Sequence, residues 1–475
     1  MPPFDPSHLA ALLAPFRNVS RCWIAFSGGL DSSVLLSAAA SIRERLPGTL
    51  QAVHLDHGLH PDSAAWAAHC QFRCAALAIP LTIRHLHLQP RPGESIEAVA
   101  REARYRAFSS LLGPDDLLLT AHHRDDQAET LLLALLRGSG VQGLAAMPFE
   151  MPCGPGRLVR PLLDATRETL AAYAETQGLD WLDDPSNRVT SLDRNYLRHR
   201  VLPVLHERWP ALATTFTRSA SHCAEAAHLT DRLAAQTLDG LGGAHFGTLD
   251  IPSLARIDRV LQKAVLRLWI RRRGFVVPDT RHLGRILDEV LTARADANPL
   301  IAWSGCEIRR YRRDLFALPP LPVPPSPASV INWSVGEETT SLELPSGLGR
   351  LEWHPVIKGD GVSGGKVAES GQKTLKVRFG LTGLSCRRPA DSHTRSLKKL
   401  YQTLGIPVWW RPYIPLVFDG DTLIAIADVC HCRERDAGVE PMGELRWRGT
   451  FREESASLDA VTLSGKMPDP GFLPA

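Results

Sequence analysis

Lysine is missing from the first half of this chain of 475 residues, in which Lys263 is the first lysine. A Walker A loop has the pattern GxxxxGK[ST], and its lysine contacts the terminal phosphates of a nucleotide. The region before Lys263 therefore contains no such loop. The glycine-containing stretch near the N-terminus also lacks the GxGxxG spacing with which dinucleotide-binding folds begin. A nucleotide bound in this region would need a different kind of loop.

Long apolar segments and closely paired cysteines are missing as well. No uninterrupted apolar run approaches the ~18 residues that a membrane-spanning helix needs, and the N-terminus has no basic region followed by a long apolar core. The nine cysteines include no CxxC pair, a common spacing at structural zinc sites. We therefore expect a cytoplasmic protein with reduced cysteines, without a disulfide framework and without a zinc site at Cys430 and Cys432.

One stretch, Cys22 to Leu36, predicts an anion-binding loop. It reads CWIAFSGGLDSSVLL and joins a short apolar run to an apolar-periodic segment, which is typical of a strand, a glycine turn and the start of a helix. Glycine lets the backbone approach a ligand closely, and the first turn of a helix offers unpaired N–H groups to an anion. Phosphate is the expected ligand. The alternative is an ordinary Gly-Gly turn in which Asp31 only complements the helix dipole.

Strand and helix patterns alternate after this stretch. We predict strands at 49–55, 81–88 and 116–121 and helices at 62–78, 94–112 and 125–136. Strands separated by such helices form right-handed βαβ units, which predicts an α/β fold with a parallel, doubly wound sheet. Ligands of such sheets bind beyond the carboxyl ends of the strands.

Polar residues follow the predicted strands at that edge of the sheet. SGGLDS follows the first strand, and HLDHGLHPDS follows the second. AHHRDDQAET follows the strand at 116–121 and contains His122 and Asp126. Carboxylates beside a phosphate loop suit Mg²⁺, which takes oxygen ligands and bridges polyphosphate oxygens. A histidine there can steady charge or move a proton. The alternative is a set of acids that tune a helix dipole, but the convergence of three loops favours one site.

Cations are concentrated in clusters, although the net charge is only +3. Between Lys376 and Arg411 there are eight lysines and arginines and one acid, Asp391. Further clusters lie at 188–200 and 267–273. Each cluster alone would fit a solvated surface, but three of them favour a nucleic-acid partner, because Lys and Arg release counterions from a phosphate backbone.

The order of the motifs resembles one enzyme family. SGGLDS is similar to the PP-loop of the N-type ATP pyrophosphatases, and it is followed by HLDHGLHPDS, TAHHRDDQAET, RNYLRHR and SLKKLYQTLGIPVWW. In this order the motifs closely resemble the bacterial tRNA(Ile)-lysidine synthetase family over nearly the whole chain. TAHHRDDQAET and RNYLRHR separate that family from other PP-loop enzymes more sharply than SGGLDS does.

The resemblance implies a reaction. ATP and Mg²⁺ would be used to adenylate the C2 oxygen of cytidine 34, the wobble base of a tRNA(Ile) with a CAU anticodon, with release of pyrophosphate. Free L-lysine would then attack C2 and expel AMP. The lysidine formed would make the tRNA read AUA instead of AUG and accept isoleucine.

The resemblance and side-chain chemistry together assign roles to residues of the catalytic site. Asp31 and Asp126 are expected to contact Mg²⁺ or the lysine ammonium, and His122 to contact the reacting base or phosphate. Arg194 and Arg198 would neutralise the α phosphate or the anticodon backbone, since a guanidinium suits both; the alternative for both is an exposed amphipathic helix. The residues expected to bind ATP are Ser27, Gly28, Gly29, Leu30, Asp31 and Ser32.

Composition divides the chain into expected domains. These are an α/β domain at 1–207, a helical domain at 208–318, a proline-rich linker at 319–330 and a small α+β domain at 331–475, with a loose tail after Glu453. The resemblance implies that the first is the PP-loop catalytic domain and that the helical and α+β domains bind tRNA. The sequence identifies neither the lysine pocket nor the oligomeric state, for which a homodimer is one option. The residues expected to contact tRNA are Arg271, Arg272, Arg273, Arg387, Arg388, Lys398 and Lys399.

Two other functions are compatible with the loop alone. One is a different PP-loop enzyme, such as a tRNA thiolase or an amide-forming synthetase. The missing CxxC pair argues against the thiolase, and no glutaminase Cys-His pair is recognisable. The other is a non-catalytic RNA-binding protein that keeps the loop as a relic; the intact acids and histidines in all three loops argue against it.

Overall fold

The computed structural model describes residues 4–58, 60–86, 88, 96–294, 297–336, 338–355, 373–388, 391, 393–427, 429–432 and 443–448. The tail after Glu453, predicted to be loose, lies outside these residues. The chain divides into two compact units, Met1–Thr230 and Asp231–Ala475. The domain limits at 207, 318 and 330 stay predictions. Within the described residues no helix has the length and apolar character needed to cross a membrane.

A six-stranded sheet with the order β3-β2-β1-β4-β6-β5 forms the centre of the first unit. All neighbouring strands are parallel except β5, which is antiparallel to β6. The predicted parallel sheet is confirmed, whereas the hairpin of β5 and β6 was not predicted. The strands are β1 (Arg21–Ala25), β2 (Thr49–Asp56), β3 (Leu81–His85), β4 (Asp116–Leu119), β5 (Glu150–Cys153) and β6 (Gly156–Val159).

Helices cover both faces of this sheet. Along β1, Ile24 packs into the cluster that contains Leu9, Leu35 and Leu170, whereas Trp23 packs into the cluster that contains Phe108. Alternate residues of a strand point to opposite faces, so burial on both sides explains the continuous apolar run of this central strand. The helices are α1 (Pro6–Leu13), α2 (Leu30–Ser41), α3 (Ser63–Ala76), α4 (Ile96–Leu111), α5 (Arg124–Leu136), α6 (Val141–Leu144), α7 (Arg167–Thr176), α8 (Asp193–Tyr196), α9 (Leu202–Arg208) and α10 (Leu212–Leu238).

The second unit begins within α10, which is followed by a region of short helices and strands. The predicted helices are present, and a four-stranded antiparallel sheet of the order β7-β10-β9-β8 packs with them. Helical periodicity did not predict this sheet, whose strands are short and joined by tight turns. The elements are β7 (Leu249–Asp250), α11 (Ile251–Ala255), α12 (Arg259–Arg272), α13 (Thr280–Arg285), β8 (Leu300–Trp303), β9 (Cys306–Tyr311) and β10 (Asp314–Leu318).

The C-terminal part is α+β, as predicted, with a five-stranded sheet β11-β14-β17-β18-β19, a three-stranded sheet β12-β13-β20 and a short β15-β16 hairpin. Trp409 packs edge-on against Tyr311 and Phe316, so this part contacts the preceding sheet. The elements are β11 (Ile331–Val335), β12 (Thr340–Glu343), β13 (Arg350–Pro355), β14 (Lys373–Arg378), β15 (Ser385–Cys386), β16 (Arg395–Ser396), α14 (Leu397–Thr403), β17 (Leu416–Asp419), β18 (Thr422–Ile426), β19 (Cys430–His431) and β20 (Gly443–Arg448).

Two cysteines contradict the prediction that all thiols are unpaired. Cys386 and Cys432 form a disulfide, with their Cα atoms 5.3 Å apart. The prediction was wrong because it relied on local spacing, whereas the two residues are separated by 46 positions and meet only when β15 packs beside β19.

Candidate active site

The loop at 27–32 joins the carboxyl end of β1 to the N-terminus of α2. The helix begins at Leu30, and its N-cap residue, Gly29, is extended and has no side chain that could cap the first turn. The first N–H groups of the helix are therefore left without an intrahelical or side-chain acceptor. Such groups, together with the positive end of the helix dipole, bind phosphate.

Gly28 is required by both the backbone and the surroundings of this loop. Its φ is +83°, a value that side chains disfavour, and a Cβ atom there would lie 2.8 Å from Cδ1 of Leu182 and 3.1 Å from Sγ of Cys70. The carbonyl of Gly28 also accepts a hydrogen bond from the N–H of Leu182 at 2.9 Å. Gly28, two residues before the helix, is thus held tightly against its neighbours.

Two hydroxyl groups lie at the two ends of the loop. Oγ of Ser27 is 3.0 Å from Oγ of Ser32, which donates to the carbonyl of Gly29 at 3.0 Å. This contact closes the loop on itself. It places both hydroxyls beside the free N–H groups.

The carboxyl end of β2 and the loop after it lie beside the first loop. His54 is buried, and its Nδ1 lies 2.9 Å from the carbonyl oxygen of Phe26. Asp56 accepts from the N–H of Gly58 at 2.8 Å. Burial and the charge of Arg104 lower the pKa of His57, whose buried Nδ1 has no hydrogen-bond partner among the described residues. At neutral pH His57 is therefore an uncharged polar group.

His123, at the N-terminus of α5, is the centre of the charged cluster. Its Nε2 lies 3.6 Å from Oδ2 of Asp31 and 3.4 Å from Oδ2 of Asp126, and its Nδ1 lies 3.5 Å from Oδ2 of Asp125. Burial by itself lowers the pKa of this histidine, but the contacts with Asp125 and Asp31 and the charge of Asp126 outweigh it and raise the pKa to about 10. At neutral pH the side chain is an imidazolium that connects the phosphate loop with α5.

His122, the histidine chosen from the sequence, has the opposite environment. Its Nδ1 lies 2.9 Å from Oγ1 of Thr120. Burial lowers the pKa of His122 to about 3. The charge of Asp126 opposes this effect, and the charges of Arg160 and Arg194 add to it. It is therefore neutral at physiological pH and suited to a hydrogen bond rather than to charge compensation.

Asp126 and Glu129 form a buried cage with two arginines. Arg194 donates from Nε to Glu129 at 2.7 Å and from Nη2 to Oδ1 of Asp126 at 3.0 Å. Arg198 donates to both oxygens of Glu129, at 2.5 and 2.9 Å, and to Oδ1 of Asp126 at 3.1 Å. Burial raises the pKa of Asp126, but the charges of His123 and Arg194 outweigh it and lower the pKa to about 2.

The two arginines are held where they are by the helix that carries them. Arg194 lies in α8, and Arg198 lies in the π-helical segment Leu197–Val201 that follows. Asn195 fixes this helix by donating to the carbonyls of Ser186 and Val189. Because the two arginine side chains are only 23% and 24% exposed, the alternative of an exposed amphipathic helix is wrong.

Asp31 is the acid with an unused oxygen. Its Oδ1 is buried and has no hydrogen-bond partner among the described residues, whereas both oxygens of Asp126 are engaged by His123 and the arginines. Four carboxylates of this cluster (Asp31, Asp125, Asp126 and Glu129) face three cations (His123, Arg194 and Arg198), which leaves one excess negative charge. A cation at Asp31 Oδ1 would fit this excess, and the oxygen donors are of the type that Mg²⁺ takes.

The residues expected to contact tRNA lie in different environments. Lys398 and Lys399 are exposed on α14, and Arg272 is exposed at the end of α12. Arg271 forms an ion pair with Asp231 at 2.7 Å, and Arg388 forms a bidentate pair with Asp391 at 2.8 and 2.9 Å.

The remaining two cations of that set are partly covered. Arg387 donates to the carbonyl of Asp391 at 3.2 Å. The guanidinium of Arg273 lies against Gly247, where an added Cβ would meet it at 2.6 Å. Arg272, Lys398 and Lys399 are the members of the set that are exposed and form no ion pair with the described residues.

The sequence placed His123 and Glu129 in the third loop of the site, but only His122 and Asp126 were selected from that loop as catalytic residues. The signal for Glu129 was present, since residues three apart on a helix share a face and Asp126 had been selected. Adjacent histidines give no comparable signal. Only the backbone at the N-cap decides that His123, not His122, faces Asp31.

Three family models match successive parts of the chain. Residues 5–205 match a PP-loop domain, 249–316 match the TilS substrate binding domain, and 375–447 match the TilS substrate C-terminal domain. The first match includes the loop at 27–32 and the cage around Glu129.

Curated relatives align over almost the whole length. The tRNA(Ile)-lysidine synthase of Coxiella burnetii is 41% identical over 93% of this chain and 96% of its own length. That of Serratia proteamaculans is 42% identical over 94% of this chain and 98% of its own length. Among solved structures, the U34-tRNA thiolase NcsA from Methanococcus maripaludis is 18% identical, with a TM-score of 0.38 over 46% of this chain and 78% of that chain.

Proposed function

Because the chain belongs to the tRNA(Ile)-lysidine synthase family, with relatives 41% and 42% identical over 93% and 94% of its length, we propose that it joins free lysine to C2 of cytidine 34 in tRNA(Ile) with a CAU anticodon. ATP adenylates the C2 oxygen of the base and releases pyrophosphate. The amine of lysine then attacks C2, loses a proton and displaces AMP. The product is lysidine.

The observation that carries this proposal is the continuous chain of charged contacts from the phosphate loop to α8. Asp31 of the loop contacts His123, which contacts Asp126, which in turn holds Arg194 and Arg198. An ATP phosphate at the loop and a base activated beside it would both lie within reach of this chain. A relic loop in a non-catalytic protein would have no need of it.

The loop would bind the phosphates that leave as pyrophosphate. Free N–H groups at the start of α2 are donors already in place before ATP binds. The hydroxyls of Ser27 and Ser32 would add to them by turning from their present contacts with each other and with the carbonyl of Gly29 towards the phosphates. Donors fixed in advance stabilise developing charge because they need no reorganisation during the reaction. Arg194 and Arg198 keep further N–H groups beyond those used in the cage, and these are available to the α phosphate or to the anticodon backbone.

Asp31 is the better of the two proposed metal ligands. Its Oδ1 has no hydrogen-bond partner among the described residues, whereas Asp126 would have to give up contacts with the arginines. We assign Asp126 the task of positioning the arginines, and Asp31 the contact with Mg²⁺ or the lysine ammonium. When bound, Mg²⁺ neutralises polyphosphate charge and bridges its oxygens.

The two histidines would have separate tasks. His123, as an imidazolium, fixes the orientation of the Asp31 carboxylate. His122 is neutral at physiological pH and does not orient Asp31. It would donate or accept a hydrogen bond at the reacting base or phosphate. The exposed cations of α12 and α14 would contact the tRNA, and the tRNA substrate implies action in the cytoplasm.

Transfer of radiolabelled lysine tests the proposal. We expect label to enter a tRNA(Ile) transcript with a CAU anticodon but not a tRNA(Met) transcript. Release of AMP should need both tRNA and lysine, whereas tRNA without lysine allows at most one pyrophosphate per adenylated base. Formation of ADP and phosphate instead would overturn it. Asp31→Asn should strongly reduce transfer without abolishing it, and Asp115→Asn, at an exposed acid of the same unit, should leave transfer unchanged.

The same variant separates the two tasks open to Asp31. If it binds Mg²⁺, Asp31→Asn raises the Mg²⁺ concentration needed for residual ATP cleavage. If it binds lysine, the variant raises the KM for lysine and leaves the Mg²⁺ requirement unchanged. Full activity of Asp31→Asn would show that neither assignment is right.

A further inference from the structure

Three cysteine side chains meet in the C-terminal part of the chain. The Sγ atoms of Cys386, Cys430 and Cys432 all lie within 4.8 Å of one another. Cys386 and Cys432 are joined as a disulfide, and Sγ of Cys430 is 4.0 Å from Sγ of Cys386. A group of three sulfur atoms is unusual in a chain whose other described cysteines are unpaired.

The backbone brings these residues together without help from the sulfur atoms. Cys386 lies in β15, which is paired with β16, and Cys430 lies in β19, which is paired with β18. The N–H of Cys432 donates to the carbonyl of Ile424 at 2.8 Å. Below the sulfur atoms, β15 and β19 pack on one apolar cluster that includes Leu397 and Leu400. Reduction of the disulfide would therefore leave the three thiols close together.

The spacing fits a zinc ion bound by thiolates. With Zn–S bonds of about 2.3 Å and tetrahedral angles, neighbouring sulfur atoms lie about 3.8 Å apart. The distance of 4.0 Å between Cys386 and Cys430 is close to that value. Small side-chain rotations after reduction would bring the third sulfur to the same separation.

The surrounding charges suit such a site. Three thiolates and one Zn²⁺ together carry one negative charge. Burial raises the pKa of the Cys430 thiol to about 11; the charge of Arg388 opposes this rise and that of Asp391 adds to it. Asp391 is held by both Arg388 and Arg395, at 2.8 and 3.5 Å. Two guanidinium groups and one carboxylate leave one positive charge beside the sulfur atoms. This charge offsets that of a zinc thiolate centre.

Contrary to the expectation from local cysteine spacing, which could not include the distant Cys386, we propose that Cys386, Cys430 and Cys432 in their reduced form bind one Zn²⁺, with the fourth position taken by water or another donor. Reduction by a thiol or a phosphine transfers two electrons to the disulfide and, with two protons, yields two thiols. Zn²⁺ then displaces three thiol protons. If the protein acts on tRNA in the cytoplasm, as proposed above, its cysteines lie in a reducing compartment, where such clusters bind metals more often than they form disulfides.

The metal would fasten the β15–β16 hairpin to the edge strand β19. Helix α14, which carries Lys398 and Lys399, follows this hairpin directly. Loss of the ion would thus loosen the segment that presents these exposed lysines. Metal binding and lysine transfer remain separate properties, since the proposed ligands are all outside the catalytic loops.

Cobalt titration of the full chain provides the test. The protein is reduced with a phosphine under anaerobic conditions, desalted and titrated with Co²⁺, then with Zn²⁺. We expect one Co²⁺ per chain, with sulfur-to-cobalt charge-transfer absorption and the visible bands of tetrahedral cobalt, both abolished by Zn²⁺. Cys430→Ser should lose this signal, and Cys223→Ser, at a cysteine outside the cluster, should keep it.

Stability supplies the second measurement. Zn²⁺ should raise the Tm of the reduced wild type and of Cys223→Ser but not that of Cys430→Ser, whose circular dichroism checks that it is folded. Absence of stoichiometric metal from the fully reduced wild type, or an unchanged cobalt spectrum in Cys430→Ser, would overturn the proposal. Re-formation of the disulfide in place of metal binding would do the same. Neither readout depends on lysine transfer, so failure here is distinct from failure of the proposed function.

Discussion

The carboxylate of Glu129 accepts hydrogen bonds from both Nε and Nη2 of Arg198, at 2.5 and 2.9 Å. The Glu129 side chain is only 1% exposed, so water cannot replace the guanidinium. A planar fork of two parallel N–H groups matches a carboxylate in a way that a lysine ammonium does not. The pair therefore fixes the direction of Arg198 as well as its charge.

Glu129→Gln should weaken both folding and lysine transfer. The change keeps the shape of the side chain but leaves two buried guanidinium groups with one carboxylate fewer, and breaking a buried ion pair costs about 3–5 kcal/mol. Urea unfolding should show a loss of this order, and lysine transfer should fall with it because both arginines lose their orientation.

Glu102→Gln is the matched control for this change. Glu102 and Arg106 form an ion pair at 2.7 Å in which both side chains are 74% exposed, and such pairs contribute about 0.3–0.5 kcal/mol. Equal stability losses in the two variants would mean that the cage around Glu129 contributes no more than a surface pair.

Gly28→Ala should impair ATP binding for two reasons, the strain of an alanine at positive φ and the overlap of its Cβ with a neighbouring side chain. An alanine at positive φ costs about 1–2 kcal/mol, and the new Cβ would also overlap Leu182 at 2.8 Å. The loop must then shift, which raises the KM for ATP and lowers the Tm. Gly138→Ala separates the two effects, because Gly138 has a φ of +66° with nothing within 4 Å of a Cβ atom. Unchanged ATP affinity in Gly28→Ala would contradict the proposed role of the loop.

Much of the fold could be predicted because the central strands have simple patterns. β1 and β4 are buried on both faces, so they read as continuous apolar runs, and the helices between them follow a regular period. The hairpin of β5 and β6 was not predicted because Pro152, Gly154 and Pro155 interrupt the pattern of its short strands. Local pattern carries little information about such an edge.

The site could be predicted as a set of loops but not as a set of contacts. Acids and histidines after the strands indicated where the site lies. The contact of His123 with Asp31 depends on the backbone at the N-cap of α5, and the meeting of Cys386 with Cys432 depends on packing of distant strands. Neither leaves a signal in local spacing.

The raised pKa of His123 predicts a pH-dependent contribution to stability. A folded-state pKa of about 10 against an ordinary value of 6.5 means that the folded protein binds an extra proton between these values. The stabilisation is complete below pH 6.5 and is lost as the pH rises towards 10. The free energy of unfolding of the wild type should therefore fall, relative to His123→Gln, by on the order of 3 kcal/mol between pH 6.5 and 9.

Urea unfolding at several pH values measures this difference. His222→Gln serves as the control, because His222 is 70% exposed and 3.9 Å from its nearest acid, Glu225, and it should follow the wild-type profile. Parallel pH profiles for the wild type and His123→Gln would exclude an imidazolium between Asp31 and Asp126.

The exposed lysines of α14 should bind tRNA through phosphates and not through bases. Replacing both Lys398 and Lys399 by alanine should then weaken the binding of tRNA(Ile) and tRNA(Met) to the same extent, since phosphate contacts carry no sequence information. Each lost phosphate contact lowers the salt slope of log Kd by about 0.7–0.9, so filter binding over a range of KCl should show a slope reduced by about 1.5. The double variant Arg259→Ala and Arg285→Ala removes the same charge from two exposed arginines that are paired with Asp288 and Glu289. If this control reduces the slope as much as the lysine variant does, the effect comes from net charge and α14 makes no direct contact with the tRNA.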